Sequence, residues 1–295
     1  MEQKKLLMVI NPKAGRSQSR EGLFDAACVL SRPPWLLSLR TTAAAGDGTK
    51  IVLEEGGEYD AIVAVGGDGT LNECVAGLMQ LDNPPPLGYL PRGSTNDFAA
   101  SLHLPADPVK GAEAIVSAIP RRLDVGRWNG RPFLYVASFG AFTRTSYAAP
   151  QAAKNALGHF AYILEGIKDL DTLRPYQVRL TADGENLDGE YLFGAVCSST
   201  SIGGLMKLEA RQVALDDGLF ELILIPTPTS AQEMQDLVRA LMNQEYDGGG
   251  LVFRHVSSLH LETAEDLPWS LDGEYAPSAP AVDIENCRQA LTMLL

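Results

Sequence analysis

The sequence predicts an α/β unit followed by a β-rich unit, and three observations carry that prediction. Up to Arg121, short apolar runs alternate with stretches of helical period. Beyond it, apolar runs crowd together with turn dipeptides between them. The chain has 295 residues, which at roughly 150 per domain is room for two cores. Strands alternating with helices imply βαβ units and a mostly parallel sheet, whereas close-spaced strands with tight turns imply an antiparallel sandwich or barrel.

Lys5–Ile10 reads as a buried strand, and residues 20–30 (REGLFDAACVL) as a helix. Trp35–Leu39 is apolar again, and Thr49–Glu54 looks helical. Ala61–Val65 (AIVAV) is a strand stopped by Gly66-Gly67. Thr70–Met79 has apolar residues at 71, 75, 78 and 79, a helical period, and Leu87–Leu90 is a further strand. Pro84-Pro85-Pro86 reads as a surface loop. In the second half, Leu123–Val125, Phe133–Ser138, Gln177–Leu180, Tyr191–Ser198, Leu219–Ile225 and Leu251–Leu261 each read as one strand. Asn129-Gly130, Asp183-Gly184, Asp188-Gly189 and Asp217-Gly218 mark turns, and helices are expected near 151–170 and 229–243. The expected boundary falls near residue 125.

Lys plus Arg number 24 and Asp plus Glu 37, giving a net charge of −13. That argues against nucleic-acid binding, which draws its affinity from cations on phosphates. Hydrophobic residues at 45% and charged residues at 21% are those of a folded chain. Cys28, Cys74, Cys197 and Cys287 lie far apart without zinc-ligand spacing, so filler thiols in a reducing compartment are expected. The apolar run Leu6–Ile10 is too short for a signal peptide, and no 18-residue apolar stretch exists. The expected location is cytoplasmic. His103, His159, His255 and His260 are read as surface or packing residues, the last two on one strand.

The sharpest local signal is Gly66-Gly67-Asp68-Gly69-Thr70, between a strand and a helix. Glycines let a backbone approach a ligand closely, and amides at a helix start favour a phosphate. Asp68 would repel that phosphate unless Mg²⁺ stands between them. The plainer alternative is a strand-to-helix turn with Asp68 as N-cap. Asn11-Pro12-Lys13-Ala14-Gly15 and Pro91–Phe98 follow two other strands, at the carboxyl edge where open parallel sheets bind ligands. Three such turns at one edge predict a nucleotide site, with Asn11, Gly93, Ser94 and Thr95 offering donors. No G-x-x-x-x-G-K-[ST], no G-x-G-x-x-G after a strand and no G-x-S-x-G is present, which removes Walker A, dinucleotide and hydrolase fingerprints.

The chain resembles the diacylglycerol kinase catalytic-domain family, specifically the soluble bacterial lipid kinases that are similar to sphingosine and ceramide kinases. The resemblance runs nearly end to end: NPKAG at 11–15, TAAAGD at 42–47, GGDGTLNE at 66–73, PRGSTNDFA at 91–99, LDVGRWN at 123–129, LGHFAYIL at 157–164, ALDDGLF at 214–220 and LDGEY at 271–275. GGDGT alone is shared with NAD kinases, whereas GGDGT, STNDFA, DDG and the late DGE in that order and spacing are specific. The turn here reads Gly93-Ser94 where relatives usually have Gly-Thr, and Cys197-Ser198-Ser199 stands where relatives often carry Asn.

The resemblance implies an α/β nucleotide-binding domain over 1–124, rejoined by about 286–295. It implies a β-rich lipid-acceptor domain over 125–285, with the active site in the cleft between the two. It implies that Asn11, Thr42, Gly66, Gly67, Asp68, Gly69, Thr70, Leu71, Asn72, Ser94 and Thr95 hold ATP. Asp68, Asp97 and Asp124 would form an acidic cluster organising the catalytic Mg²⁺. The carbonyls of Ala214 and Leu219 with the Asp217 carboxylate would hold a structural Mg²⁺, and Glu274 would be the general base. The bland alternatives are a solvated turn acid at Glu274, a hairpin turn at Asp217, and a buried capping acid at Asp124. The implied activity is phosphorylation of a hydroxyl on diacylglycerol or a related lipid, at a membrane surface and in the setting of phospholipid biosynthesis. Two alternatives stand: a kinase of a soluble acceptor, as in NAD kinases, and a non-catalytic nucleotide- or lipid-binding protein. Oligomeric state is open, a homodimer being one option.

Overall fold

A computed structural model describes residues 2–15, 21–94, 96–140, 174–198, 201–202, 206–207, 214–243 and 250–295. The chain divides into two compact units, residues 1–124 with 289–295, and residues 125–288.

In the first unit, apolar runs become strands and each is followed by a helix. Strands β1 (Lys4–Ile10), β2 (Trp35–Thr41), β3 (Ala61–Gly66) and β4 (Leu87–Pro91) are parallel, in the order β2-β1-β3-β4. Helices α1 (Leu23–Leu30), α2 (Asp47–Glu55), α3 (Asp68–Leu78), α4 (Asp97–Ser101) and α5 (Pro108–Ser117) connect them. Strand β3 is buried at every position, as a central parallel strand covered on both faces must be. On one face Leu6, Met8, Val63 and Val65 pack against Ala26, Val29 and Leu30 of α1 and Ala112 and Ile115 of α5. Helix α5 is not among the expected elements, although Asp107 caps it through the Lys110 amide at 2.9 Å and Pro108 opens it.

In the second unit the strands are antiparallel. They begin with β5 (Pro120–Trp128, entering from the first unit), β6 (Arg131–Phe133), β7 (Val136–Gly140) and β8 (Tyr176–Ala182). Next come β9 (Glu185–Asn186), β10 (Gly189–Cys197), β11 (Ser201–Ile202), β12 (Met206–Lys207) and β13 (Phe220–Pro226). The rest are β14 (Val252–Val256), β15 (Ser258–Glu262), β16 (Trp269–Leu271), β17 (Glu274–Ala276) and β18 (Ala281–Leu294). Helix α6 (Ala231–Asn243) lies between β13 and β14. One layer runs β17-β16-β7-β10-β13-β14; β10 also pairs with β8 at its start, and β8, β15 and β18 continue from there as the other layer. Trp128, Phe133, Leu180, Leu261 and Ile284 meet Phe139, Phe220, Leu222 and Trp269 in the core they enclose. Met293 near the end of β18 pairs with Leu87 of β4, inside the first unit.

Two single-strand readings are corrected. Phe133–Ser138 breaks into β6 and β7 because the amides of Leu134, Tyr135 and Val136 turn to the Asp272 carboxylate, at 2.6, 2.9 and 3.0 Å. Leu251–Leu261 breaks at Ser257, where Asp183 accepts the Ser257 and Ser258 amides at 2.7 and 2.9 Å. His255 and His260 therefore lie on separate strands, β14 and β15. The helix expected near 151–170 lies outside the described residues.

Candidate functional site

The carboxyl ends of β1, β2, β3 and β4 deliver Asn11, Thr42, Gly66-Gly67 and Arg92-Gly93 to one edge of the first unit's sheet. Asn11 donates its amide N–H to the Val65 carbonyl (2.9 Å) and its Nδ2 to Thr70 Oγ1 (3.2 Å), so the first and third turns are locked together. Thr42 is buried and donates its amide to the Ile10 carbonyl at 2.9 Å. Its loop is held by Asp47, whose Oδ2 accepts the Ala43 and Ala44 amides at 2.8 and 2.9 Å. Those bonds hold the Asp47 carboxyl below its ordinary pKa.

The glycines at 67 and 93 are required by close approach. A Cβ on Gly93 would lie 2.5 Å from the Gly67 Cα, and one on Gly67 would lie 3.1 Å from the Gly93 Cα. The Arg92 amide donates to the Gly66 carbonyl at 2.6 Å. Gly67, not Asp68, is the N-cap of α3, and it has no side chain to satisfy the first-turn amides. Asp68 instead opens the helix. The eleven-residue α3 thus presents its positive end at the turn, with Thr70 and Asn72 buried behind it.

Asp68 and Asp97 come together. Asp68 Oδ2 accepts the Asp97 amide at 3.1 Å, while its Oδ1 is buried without a hydrogen-bond partner. Burial, reinforced by the charge of Asp97, pushes the Asp68 carboxyl up to about 6, against the opposing pull of the α4 amides. Burial raises Asp97 as well. Asp124 is anchored separately: it is 4% exposed, and its Oδ1 accepts the Gln289 amide at 2.7 Å. Among the described residues, no three Asp, Glu, His or Cys side chains gather in a metal-holding group. Ser94 is exposed, and Thr95 lies outside the described residues.

In the second unit, Asp217 Oδ1 accepts the Leu219 amide at 2.9 Å, a turn that leaves Ala214 and Asp217 at the surface. Asn286 Nδ2 donates to the Leu219 carbonyl at 3.2 Å. Carbonyl and carboxylate oxygens suit a hard divalent cation, so the donor set there fits Mg²⁺. The unpartnered Asp68 Oδ1 fits a cation or its bound water equally well. Glu274 is exposed on β17, and its Oε2 lies 2.9 Å from Arg131 Nη2.

Sequence reasoning missed four residues that shape these loops. Asn96, at φ 54°, closes the β4–α4 turn by accepting the Gly93 amide (2.8 Å) and donating to its carbonyl (3.0 Å). Glu73 pins the start of α2 by accepting the Gly46 and Gly48 amides at 2.8 and 2.9 Å. Asp272 holds the β6–β7 connection. Glu221, 2% exposed, has its carboxyl pushed up to about 8, by burial first, with the charge of Asp217 adding to it. The signal for Asn96 was present, since Asn tolerates a left-handed backbone. An alternating strand gives no such signal for Glu221.

Residues 5–128 match the family described as the diacylglycerol kinase catalytic domain. Residues 136–295 match the one described as the YegS C-terminal NAD kinase beta sandwich-like domain. The diacylglycerol kinase of Bacillus subtilis (strain 168) is 33% identical over 279 residues, spanning 94% of this chain and 92% of that one. The diacylglycerol kinase of Staphylococcus aureus (strain MRSA252) is 31% identical over 281 residues, spanning 94% and 88%. A crystal structure from Bacillus anthracis str. Sterne superimposes with a TM-score of 0.78 at 25% identity, covering 100% of this chain and 97% of that chain.

Proposed function

The chain belongs to the diacylglycerol kinase family, a family of transferases, and from that premise we propose that it transfers the γ-phosphoryl group of ATP to a hydroxyl of diacylglycerol or a related lipid. The observation that carries the reading is the edge where Asn11 is bonded to Thr70 and Gly67 packs on Gly93, with the unpartnered Asp68 Oδ1 at the same helix start. Glycine loops and a helix start suit phosphates, and an acid with a free oxygen suits the ion that accompanies them.

In this reading Asn11, Thr42, Gly66 to Asn72, Ser94 and Thr95 hold ATP. Asp68, Asp97 and Asp124 organise the catalytic Mg²⁺, and Ala214, Asp217 and Leu219 hold a structural one. Bound Mg²⁺ would neutralise charge on the phosphates during transfer. Glu274 takes the proton of the acceptor hydroxyl. Arg131 holds Oε2 at 2.9 Å, so the proton is taken at Oε1. The lipid is met at a membrane surface, from the cytoplasm. Among the described residues no helix is long and apolar enough to cross a membrane.

The test is incubation with radiolabelled ATP and Mg²⁺ against mixed micelles of diacylglycerol, monoacylglycerol, sphingosine or ceramide, with NAD as a soluble acceptor. Label on a lipid product, lost in Asp68→Asn, supports the reading. Label on NAD alone, or on nothing, overturns it.

A further inference from the structure

Two oxygen atoms around the Asp216-Asp217-Gly218 turn are buried without a hydrogen-bond partner, Glu221 Oε2 and Asn286 Oδ1. Glu221 sits in register between Cys197 of β10 and His255 of β14. Its strand neighbours Phe220 and Leu222 belong to the sandwich core, so Glu221 points from the opposite face of the sheet. There it is 2% exposed, and the negative charge of Asp217 reaches it. Its own backbone amide hydrogen-bonds the carboxyl, but a buried carboxylate oxygen left without a partner is still costly unless a positive charge arrives beside it. Cys197 supplies none: its thiol is held neutral by burial and by Glu221 itself.

We propose that Glu221 is a further acidic group of a divalent-cation site at this turn, supplying the second negative charge that Asp217 alone lacks. The inference rests on the reading of Ala214, Asp217 and Leu219 as cation ligands. Those three offer two neutral carbonyls and one carboxylate, a single negative charge for an ion of charge +2. Glu221 brings the count to two, from a buried position where solvent does not screen it. Asn286 completes the arrangement. Its Nδ2 holds the Leu219 carbonyl at 3.2 Å, and its buried Oδ1 is left to accept from a water on the ion. Glu221 and Asn286 thus tune the ion from outside its ligand set.

The experiment is thermal melting of the full chain without nucleotide, titrated with Mg²⁺, for the wild type, Asp217→Asn and Glu221→Gln. A ligand that binds only the folded state raises the melting temperature by mass action. The wild type should rise with Mg²⁺, and Asp217→Asn should lose most of that rise. Glu221→Gln should melt close to the metal-free wild type, since glutamine keeps the size of the side chain. It should need about tenfold more Mg²⁺ for the same rise, one order of magnitude per 1.4 kcal/mol. Should that variant not fold, Glu221→Asp, which keeps the charge, is expected to keep the wild-type Mg²⁺ midpoint within about threefold, and a larger loss counts against the charge. A Glu221→Gln midpoint equal to wild type overturns the inference and leaves the turn site standing. A wild type indifferent to millimolar Mg²⁺ overturns both.

Discussion

Asp68→Asn should stabilise the first unit while removing activity. Burial and the neighbouring Asp97 raise the Asp68 carboxyl from 3.8 to about 6. Each tenfold gain in proton affinity corresponds to ~1.36 kcal/mol, so ionised Asp68 costs the fold about 3 kcal/mol. The folded state holds the proton more tightly than the unfolded chain. The benefit of the neutral form is therefore full below pH 3.8, declines as pH rises, and is gone above about 6. Between pH 5 and pH 8 this carboxyl should withdraw about 1.4 kcal/mol, a factor of ten in the folding equilibrium. Asparagine has no charge to bury and still accepts the Asp97 amide. Denaturant unfolding at both pH values, with hydrogen exchange of the β1 and β3 amides to follow the first unit, measures the difference. The variant should be more stable at pH 8 by up to about 3 kcal/mol, with a shallower pH dependence than the wild type. Its turnover should fall by about 10²-fold or more, the usual scale for a positioned electrostatic group. A variant no more stable at pH 8, with an unchanged pH slope, would refute the account of Asp68 as a destabilising acid kept for chemistry.

Gly93→Ala places a methyl 2.5 Å from the Gly67 Cα, so the two turns must part. A loss of about 1–3 kcal/mol and weaker ATP binding are expected, read by melting and calorimetry. Asp272→Ala strands three amides and should cost about 3–5 kcal/mol, against about 1–3 for Asp272→Asn, by denaturant unfolding. Glu274→Gln should lower turnover by about 10²–10⁴ with ATP affinity unchanged; near-normal turnover would return Glu274 to the role of a solvated turn acid.

The first unit was legible because its chemistry is local. Three of the four apolar runs end at Asn11, Gly66 or Pro91, and GGDGT announces a close backbone approach within five residues. The breaks at Leu134-Tyr135 and at Ser257 were not, because their causes, Asp272 and Asp183, lie 136 to 138 and 74 to 75 positions away in sequence. Apolar continuity cannot show a carboxylate arriving from elsewhere to take two or three amides. Strand β18 was missed for a related reason. Over fourteen residues it passes from one unit into the other, so its burial loses the alternation that marks a strand with one core face. At the site, the residue types were readable from motifs, but not which acids are satisfied.

That distinction separates scaffold from site. Asp124, Asp272 and Glu221 are all less than a tenth exposed, so burial alone does not rank them. Asp272 gives its oxygens to the Leu134, Tyr135 and Val136 amides, and Asp124 gives one to Gln289. Those hydrogen bonds offset part of the cost of burying them within the fold. Asp68 and Glu221 each keep a buried oxygen with no partner, and both carboxyls are driven upward by burial. A chain gains no stability from that arrangement, which is the ground for proposing an ion accompanying ATP at Asp68 and an ion at the Asp217 turn for Glu221. Glu274 belongs to neither class. It is exposed and paired with Arg131, so neither burial nor a missing partner marks it out. Its role therefore rests on kinetics, and Asp68 and Glu221 can be tested by stability alone.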